Sequence, residues 1–291
     1  MYADLTDVRS YYELLGGDGG GDPLILIPGL GCTCSLFDTV SGDLAQHFSL
    51  VLFDNRGLGR SVAKRQPQSL KDYAADVVEL MDHLQLERAH VLGLSFGGIV
   101  AQQLAVDHPS RVDRLVLVSC SNRFGPYLVE IAKLLGQSLR RFPPELFRRT
   151  VELLSVAPQY LDAHAEEIDR KIAAACAANI PRMAVGRQLR CLGNRDVACE
   201  ADYRITAPTL VVAGDQDMLI PACYARRMAR EIPGSEFVLL RDCGHNPLLE
   251  RPEFMVERIT EFLTRTTTTT RINGEGEDDD GLRTEEVSFN A

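Results

Sequence analysis

The segment Gly93-Leu94-Ser95-Phe96-Gly97 stands where an apolar run ends and an amphipathic, helix-like run begins. A serine in a tight strand-to-helix turn takes a strained backbone, and small residues two before and two after it let neighbouring chains pass close by. Its hydroxyl then projects at a helix N-terminus, where backbone N–H groups and the helix dipole favour developing negative charge. This is the setting of a nucleophile, which needs a base, and the base needs an orienting carboxylate. Downstream, Gly214-Asp215-Gln216-Asp217 follows the apolar run TLVVAG, and Gly244-His245-Asn246 follows EFVLL. His245 is the candidate base, and Asp215 and Asp217 are rival candidates for the carboxylate.

Such residues can meet only if the elements that carry them end side by side. Apolar runs of strand length at 23–29, 48–57, 90–95, 114–120, 209–214 and 236–240 alternate with helical patterns at 72–85, 97–108, 223–232 and 252–263. Continuous apolar strands separated by single helices predict an α/β fold: a mostly parallel sheet with helices on both faces. A single helix between the runs at 209–214 and 236–240 makes these strands neighbours, so an aspartate and His245 share the carboxyl edge from which Ser95 also leaves. Between about 121 and 204 the pattern is helical and broken by Pro143-Pro144, Pro158 and Pro181, which predicts a helical cap inserted over the sheet. The stretch DVRSYYELLGGDGGGD predicts a strand and a glycine-rich turn at the sheet edge.

The chain has 291 residues, 45% of them hydrophobic, enough for one large core with an insertion. We therefore expect one domain over 1–265, cap included. Residues 266–291 form a threonine run followed by glycines and acids, expected to be a disordered acidic tail. Beyond Arg271 seven carboxylates against one arginine account for six of the ten net negative charges, so the body is only mildly acidic. A basic face for nucleic acid or anionic membrane is not expected; the expected partner is a small-molecule substrate. No apolar run approaches the roughly 20 residues of a membrane span, and the first residues lack the basic start and apolar stretch of a signal peptide, which predicts a cytoplasmic protein. The eight cysteines, Cys32, Cys34, Cys120, Cys176, Cys191, Cys199, Cys223 and Cys243, are scattered singly and are expected to be reduced thiols. Cys32-x-Cys34 and Cys243-x-His245 are spaced more tightly than paired zinc ligands, so neither a metal nor another cofactor is expected.

From about Leu24 to Leu263 the sequence resembles the α/β-hydrolase superfamily. The likeness rests on Pro28-Gly29-Leu30-Gly31, on the run from Asp54 to Ser61 (DNRGLGRS), on the serine turn, on GDQDMLIP (214–221) and on CGHNPLLERP (243–252). Among subgroups the chain looks most like small esterases, enol-lactonases and carbon-carbon bond hydrolases. The resemblance implies Ser95 as nucleophile, His245 as base and Asp217 as the acid, with Asp215 left as a turn-stabilising residue. It also implies an oxyanion hole formed by the backbone N–H groups of Leu30 and Phe96. Many relatives carry His-Gly where this chain has Pro28-Gly29, a departure that a backbone contribution tolerates. Arg56, Gly57, Gly59 and Ser61 match a family signature and read as structural.

Relatives that open haloalkanes or epoxides use an aspartate nucleophile, and Ser95 argues against both. The expected function is hydrolysis of a carboxylic ester or lactone of a small, mainly apolar substrate through an acyl-enzyme. Carbon-carbon cleavage or a perhydrolase reaction would use the same three residues, and a non-catalytic receptor of the same fold is the alternative from another class. The cap arginines Arg140, Arg141, Arg148 and Arg149 lie near a proline break and are expected on a solvated face, leaving an apolar pocket between cap and sheet.

Overall fold

The computed structural model describes residues 1–17, 21–177, 181–193, 204–265, 276–277 and 282–289. Its strands are β1 (Tyr2–Asp4), β2 (Val8–Leu15), β3 (Pro23–Ile27), β4 (Ser49–Phe53), β5 (Val62–Ala63), β6 (Ala89–Leu94), β7 (Val112–Val118), β8 (Thr209–Gly214), β9 (Glu236–Leu240), β10 (Gly276–Glu277) and β11 (Arg283–Val287). They join one sheet in the order β1-β2-β4-β3-β6-β7-β8-β9-β11-β10, with β5 paired to β2. Pairing is parallel from β4 through β11 and antiparallel at both margins. The helices are α1 (Asp38–Leu44), α2 (Leu70–His83), α3 (Phe96–Asp107), α4 (Pro126–Arg141), α5 (Pro144–Ser155), α6 (Pro158–Ala163), α7 (Ala165–Ala177), α8 (Arg182–Gly193), α9 (Ala222–Glu231), α10 (Pro247–Glu250) and α11 (Pro252–Thr264).

Successive side chains of a strand point to opposite faces, so a strand that is apolar throughout needs cover on both. In β3, Ile25 and Ile27 join the core under α2, α3 and α9, whereas Leu24 and Leu26 join the core under α1 and α11. β8 divides in the same way, Val211 and Ala213 to one side and Leu210 and Val212 to the other. The fold is the mostly parallel, helix-covered sheet that the sequence pattern predicts.

Helices α4 to α8 all lie between β7 and β8 in the chain. Pro126, Pro144 and Pro158 begin α4, α5 and α6, where a missing N–H costs nothing because the first turn has no partner for it. The prolines that interrupt the sequence pattern are therefore helix starts. The glycine-rich segment at 16–22 follows β2, which lies one strand inside the margin because β1 pairs with its outer edge.

The expectation of a disordered tail over 266–291 is corrected at 283–287, where β11 pairs in parallel with β9. Glu285 approaches Arg258 at 3.3 Å, and Glu286 approaches Arg241 at 2.6 Å and Arg226 at 3.4 Å. Leu282 is buried in the core, and the ring of Phe289 meets that of Phe254 at 5.5 Å. Composition treats these acids as a solvated run, but the folded body places arginines opposite them. The rest of that expectation, at 266–275, 278–281 and 290–291, lies outside the described residues.

Candidate active site

Ser95 is the residue between β6 and α3, with φ 56° and ψ −117°. A left-handed conformation costs a non-glycine residue about 1–3 kcal/mol and persists only where the surroundings impose it. Here the Ser95 N–H donates to the carbonyl of Val118 on β7, and its own carbonyl accepts the N–H of Ile99 in α3. The flanking glycines are required by contact: a Cβ on Gly93 would lie 2.4 Å from the Gly97 carbonyl, and one on Gly97 would lie 2.0 Å from the Ile27 carbonyl. The start of α3 thus presses on the end of β3 and brings Phe96 close to the loop that carries Leu30. The Phe96 ring is buried edge-on against Tyr73 at 5.1 Å.

The two strand ends that carry Asp217 and His245 are neighbours, because β8 and β9 pair in parallel from Leu210–Glu236 to Gly214–Leu240. Asp217 is the carboxylate that meets the histidine, with its Oδ2 2.7 Å from His245 Nδ1. Its Oδ1 accepts the N–H groups of Leu219 at 2.9 Å and Ile220 at 2.8 Å, which fixes the carboxylate in the plane it presents. Asp215 faces outward, 3.5 Å from Arg241. The His245 loop is anchored independently: the His245 N–H donates to the Ser155 carbonyl at 2.7 Å. Glu250 accepts the N–H groups of Gly244 at 3.0 Å and Ala157 at 3.2 Å, and burial raises its pKa above the usual carboxylate value.

Ser95, His245, Leu30 and Phe96 line one cavity of about 140 Å³, closed by apolar side chains of α4, α5 and α8. None of the other histidines, His47, His83, His90, His108 or His164, lines it. Among the described residues no cluster of three histidine, cysteine or acidic side chains could hold a metal. Arg56 turns away: its guanidinium grips both carboxylate oxygens of Asp76 and donates to the carbonyls of Asp72 and Arg65. The loop from 54 to 61 therefore braces the end of β4.

The solvated-face expectation for the cap arginines is corrected at Arg148, which lines the cavity together with Glu152. Arg149 does pair at the surface, with Asp169 at 2.6 Å. Arg148 Nη2 donates to the Gly31 carbonyl at 3.3 Å, while the Gly31 N–H donates to Gln188 Oε1 at 2.8 Å. Both ends of the loop residue after Leu30 are thus held by cap side chains.

A family model described as the alpha/beta hydrolase fold matches residues 22–252. The chain belongs to the α/β-hydrolase fold family. It is 30% identical over 255 residues to a protein of Caulobacter vibrioides named "Putative carbamate hydrolase RutD", covering 87% of this chain and 94% of the relative. Among solved structures it is similar to the enol-lactonase from Burkholderia xenovorans LB400, with TM-score 0.79, 25% identity, and coverage of 91% of this chain and all of that one. It is also similar to Est816, described as an N-acyl homoserine lactone degrading enzyme, with TM-score 0.75, 27% identity, and coverage of 90% and 100%.

Four side chains of this α/β hydrolase stand at the site without a sequence signal that assigns them there. Glu250 lies inside CGHNPLLERP, where its spacing from His245 could have suggested a partner for the loop. Arg148, Glu152 and Gln188 are ordinary polar positions of helical sequence, and only the packing of α5 and α8 turns them inward.

Proposed function

We propose that this α/β hydrolase cleaves carboxylic esters or lactones of small, mainly apolar compounds through an acyl-enzyme on Ser95. The observation that carries the reading is His245 held at Nδ1 by a buried Asp217, in the same cavity as a serine on a strained strand-to-helix turn. With Nδ1 committed to Asp217, Nε2 is the nitrogen left to serve Ser95.

Nε2 takes the hydroxyl proton as Oγ attacks the carbonyl carbon, and the carbonyl electron pair moves to oxygen, facing the N–H groups of Leu30 and Phe96. Collapse expels the alcohol oxygen, which receives the proton from His245. Water, giving a proton to His245, then attacks the acyl carbon; release of the acid returns that proton to Ser95. Asp217 stays ionised and stabilises the imidazolium. Neither a metal nor a cofactor has a role in these steps.

A fluorophosphonate is expected to label wild type at Ser95, and Ser95→Ala to fold but to lose short-chain ester hydrolysis by several orders of magnitude. Labelling at another serine overturns the assignment. Carbamate cleavage is the second reading, favoured by the name of the relative above; its carbonyl would take the same steps. Matched ester and carbamate substrates assayed side by side rank the two.

A further inference from the structure

An apolar cavity that contains an arginine and a carboxyl group needs an account of both. Arg148 spends one hydrogen bond on the Gly31 carbonyl, at 3.3 Å, although its guanidinium carries five N–H donors. Among the described residues the Glu152 carboxyl has no hydrogen-bond partner; burial raises its pKa above the usual carboxylate value, against the charges of Lys171 and Arg148, which lower it. An anionic substrate would meet Glu152 as well as Arg148, and a fully apolar one would leave the Glu152 carboxyl without a partner and Arg148 with its bond to Gly31 alone.

Helix α5 sets the distance of this pair from the chemistry. Arg148, at its near end, touches the residue after Leu30, and the carbonyl of Ser155, at its far end, takes the His245 N–H. Seven residues of helix span about 10 Å, so α5 bridges the oxyanion loop and the base loop, with Glu152 between the two anchors. Arg148, Glu152 and Ser155 all line the cavity, as spacings of three and four residues on one helix face require.

We propose that Arg148 and Glu152 form a clamp selecting esters or lactones with a neutral acceptor-and-donor group, such as a secondary amide, a few bonds from the scissile carbonyl. The amide oxygen accepts from Arg148 and the amide N–H donates to Glu152. The inference rests on the serine-hydrolase reading and goes beyond it by naming what the non-reacting part of the substrate carries.

Three esters of matched length test it: ethyl N-propanoylglycinate, ethyl hexanoate and monoethyl adipate. Wild type is expected to show kcat/KM at least tenfold higher for the glycinate than for the hexanoate, with the adipate no better than the hexanoate. Arg148→Met is expected to bring the glycinate-to-hexanoate ratio to within about twofold of one. Glu152→Gln keeps an acceptor, so the glycinate preference survives while the adipate, now facing an uncompensated Arg148, gains several-fold. Melting temperatures establish that each variant is folded. A wild-type ratio near one, adipate as the best wild-type substrate, or an unchanged ratio in Arg148→Met overturns the clamp. If wild type turns over none of the three, the hydrolase reading is what fails. Calorimetric binding of glycinate and hexanoate to Ser95→Ala then still decides the clamp, and equal affinities overturn it.

Discussion

Ser95, Asp217 and His245 each sit just past the end of a parallel strand, and each is held by backbone contacts before any substrate arrives. Asp217 receives two backbone N–H groups on one oxygen and the imidazole on the other, whereas Asp215 has only a long contact to an exposed arginine. Asp217→Asn is therefore expected to lower kcat by about four orders of magnitude, because the amide supports the wrong tautomer of His245. Asp215→Asn should cost less than about threefold; equal losses in a parallel assay would assign the acid wrongly. Away from the site, His90 at the start of its strand is buried, and burial lowers its pKa. A depressed histidine is neutral in the folded state and charged in the unfolded state between its folded pKa and about 6.5. Its stabilising contribution is whole above that pH and is lost as pH falls towards the folded value. Urea midpoints of wild type should drop from pH 7.5 to 5.0, and His90→Leu should flatten that limb.

The elements of the cap do more than roof the cavity, since α5 contacts both the loop of Leu30 and Gly31 and the loop of His245. Glu250, at the end of α10, is the other joint, taking N–H groups from the base loop and from the turn between α5 and α6. Removing its carboxyl leaves two buried donors unpaired, at about 1–3 kcal/mol each. Glu250→Leu is expected to lower the urea midpoint and to reduce kcat at least tenfold, because the loop that loosens carries His245. Glu250→Gln keeps one acceptor oxygen and should recover much of the loss. If KM rises while kcat holds, Glu250 belongs to substrate binding instead.

At the scale of the whole molecule, the C-terminal strand β11 extends the sheet beyond β9 and covers its edge. The ion pair of Glu286 with Arg241 joins two side chains that are both nearly half exposed, and such pairs contribute little. Backbone pairing along β9, the burial of Leu282 and the approach of Glu285 to the buried Arg258 are the stronger contributions. Truncation after Arg265 removes all three. Burying one leucine is worth roughly 1.5–3 kcal/mol, and each kcal/mol corresponds to roughly 2–4 °C in a protein of this size. A fall in melting temperature of at least about 5 °C is expected, with turnover changed far less because no site residue lies in the strand. An unchanged melting temperature would mean that β11 is only loosely docked.

The serine turn, the two strand ends that follow it and the helix-covered parallel sheet were legible in the sequence because their signals are local. Apolar runs of fixed length report strands, Gly93 and Gly97 report a close approach within a few residues, and prolines at 143–144, 158 and 181 report breaks between cap helices. Residue types alone left Asp215 and Asp217 as rivals; tertiary structure aims only Asp217 at His245, a contact between residues 28 apart. The docking of the tail depends on arginines from α9, from the turn after β9 and from α11 that composition cannot place opposite its acids. The inward turn of Arg148, Glu152 and Gln188 depends on how α5 and α8 lie across the sheet. The sequence determines which residues are capable of the chemistry, through backbone geometry and periodicity that act over a few residues. Only the tertiary structure decides which charged groups share the cavity, because Coulomb and hydrogen-bond partners are chosen by distance in space.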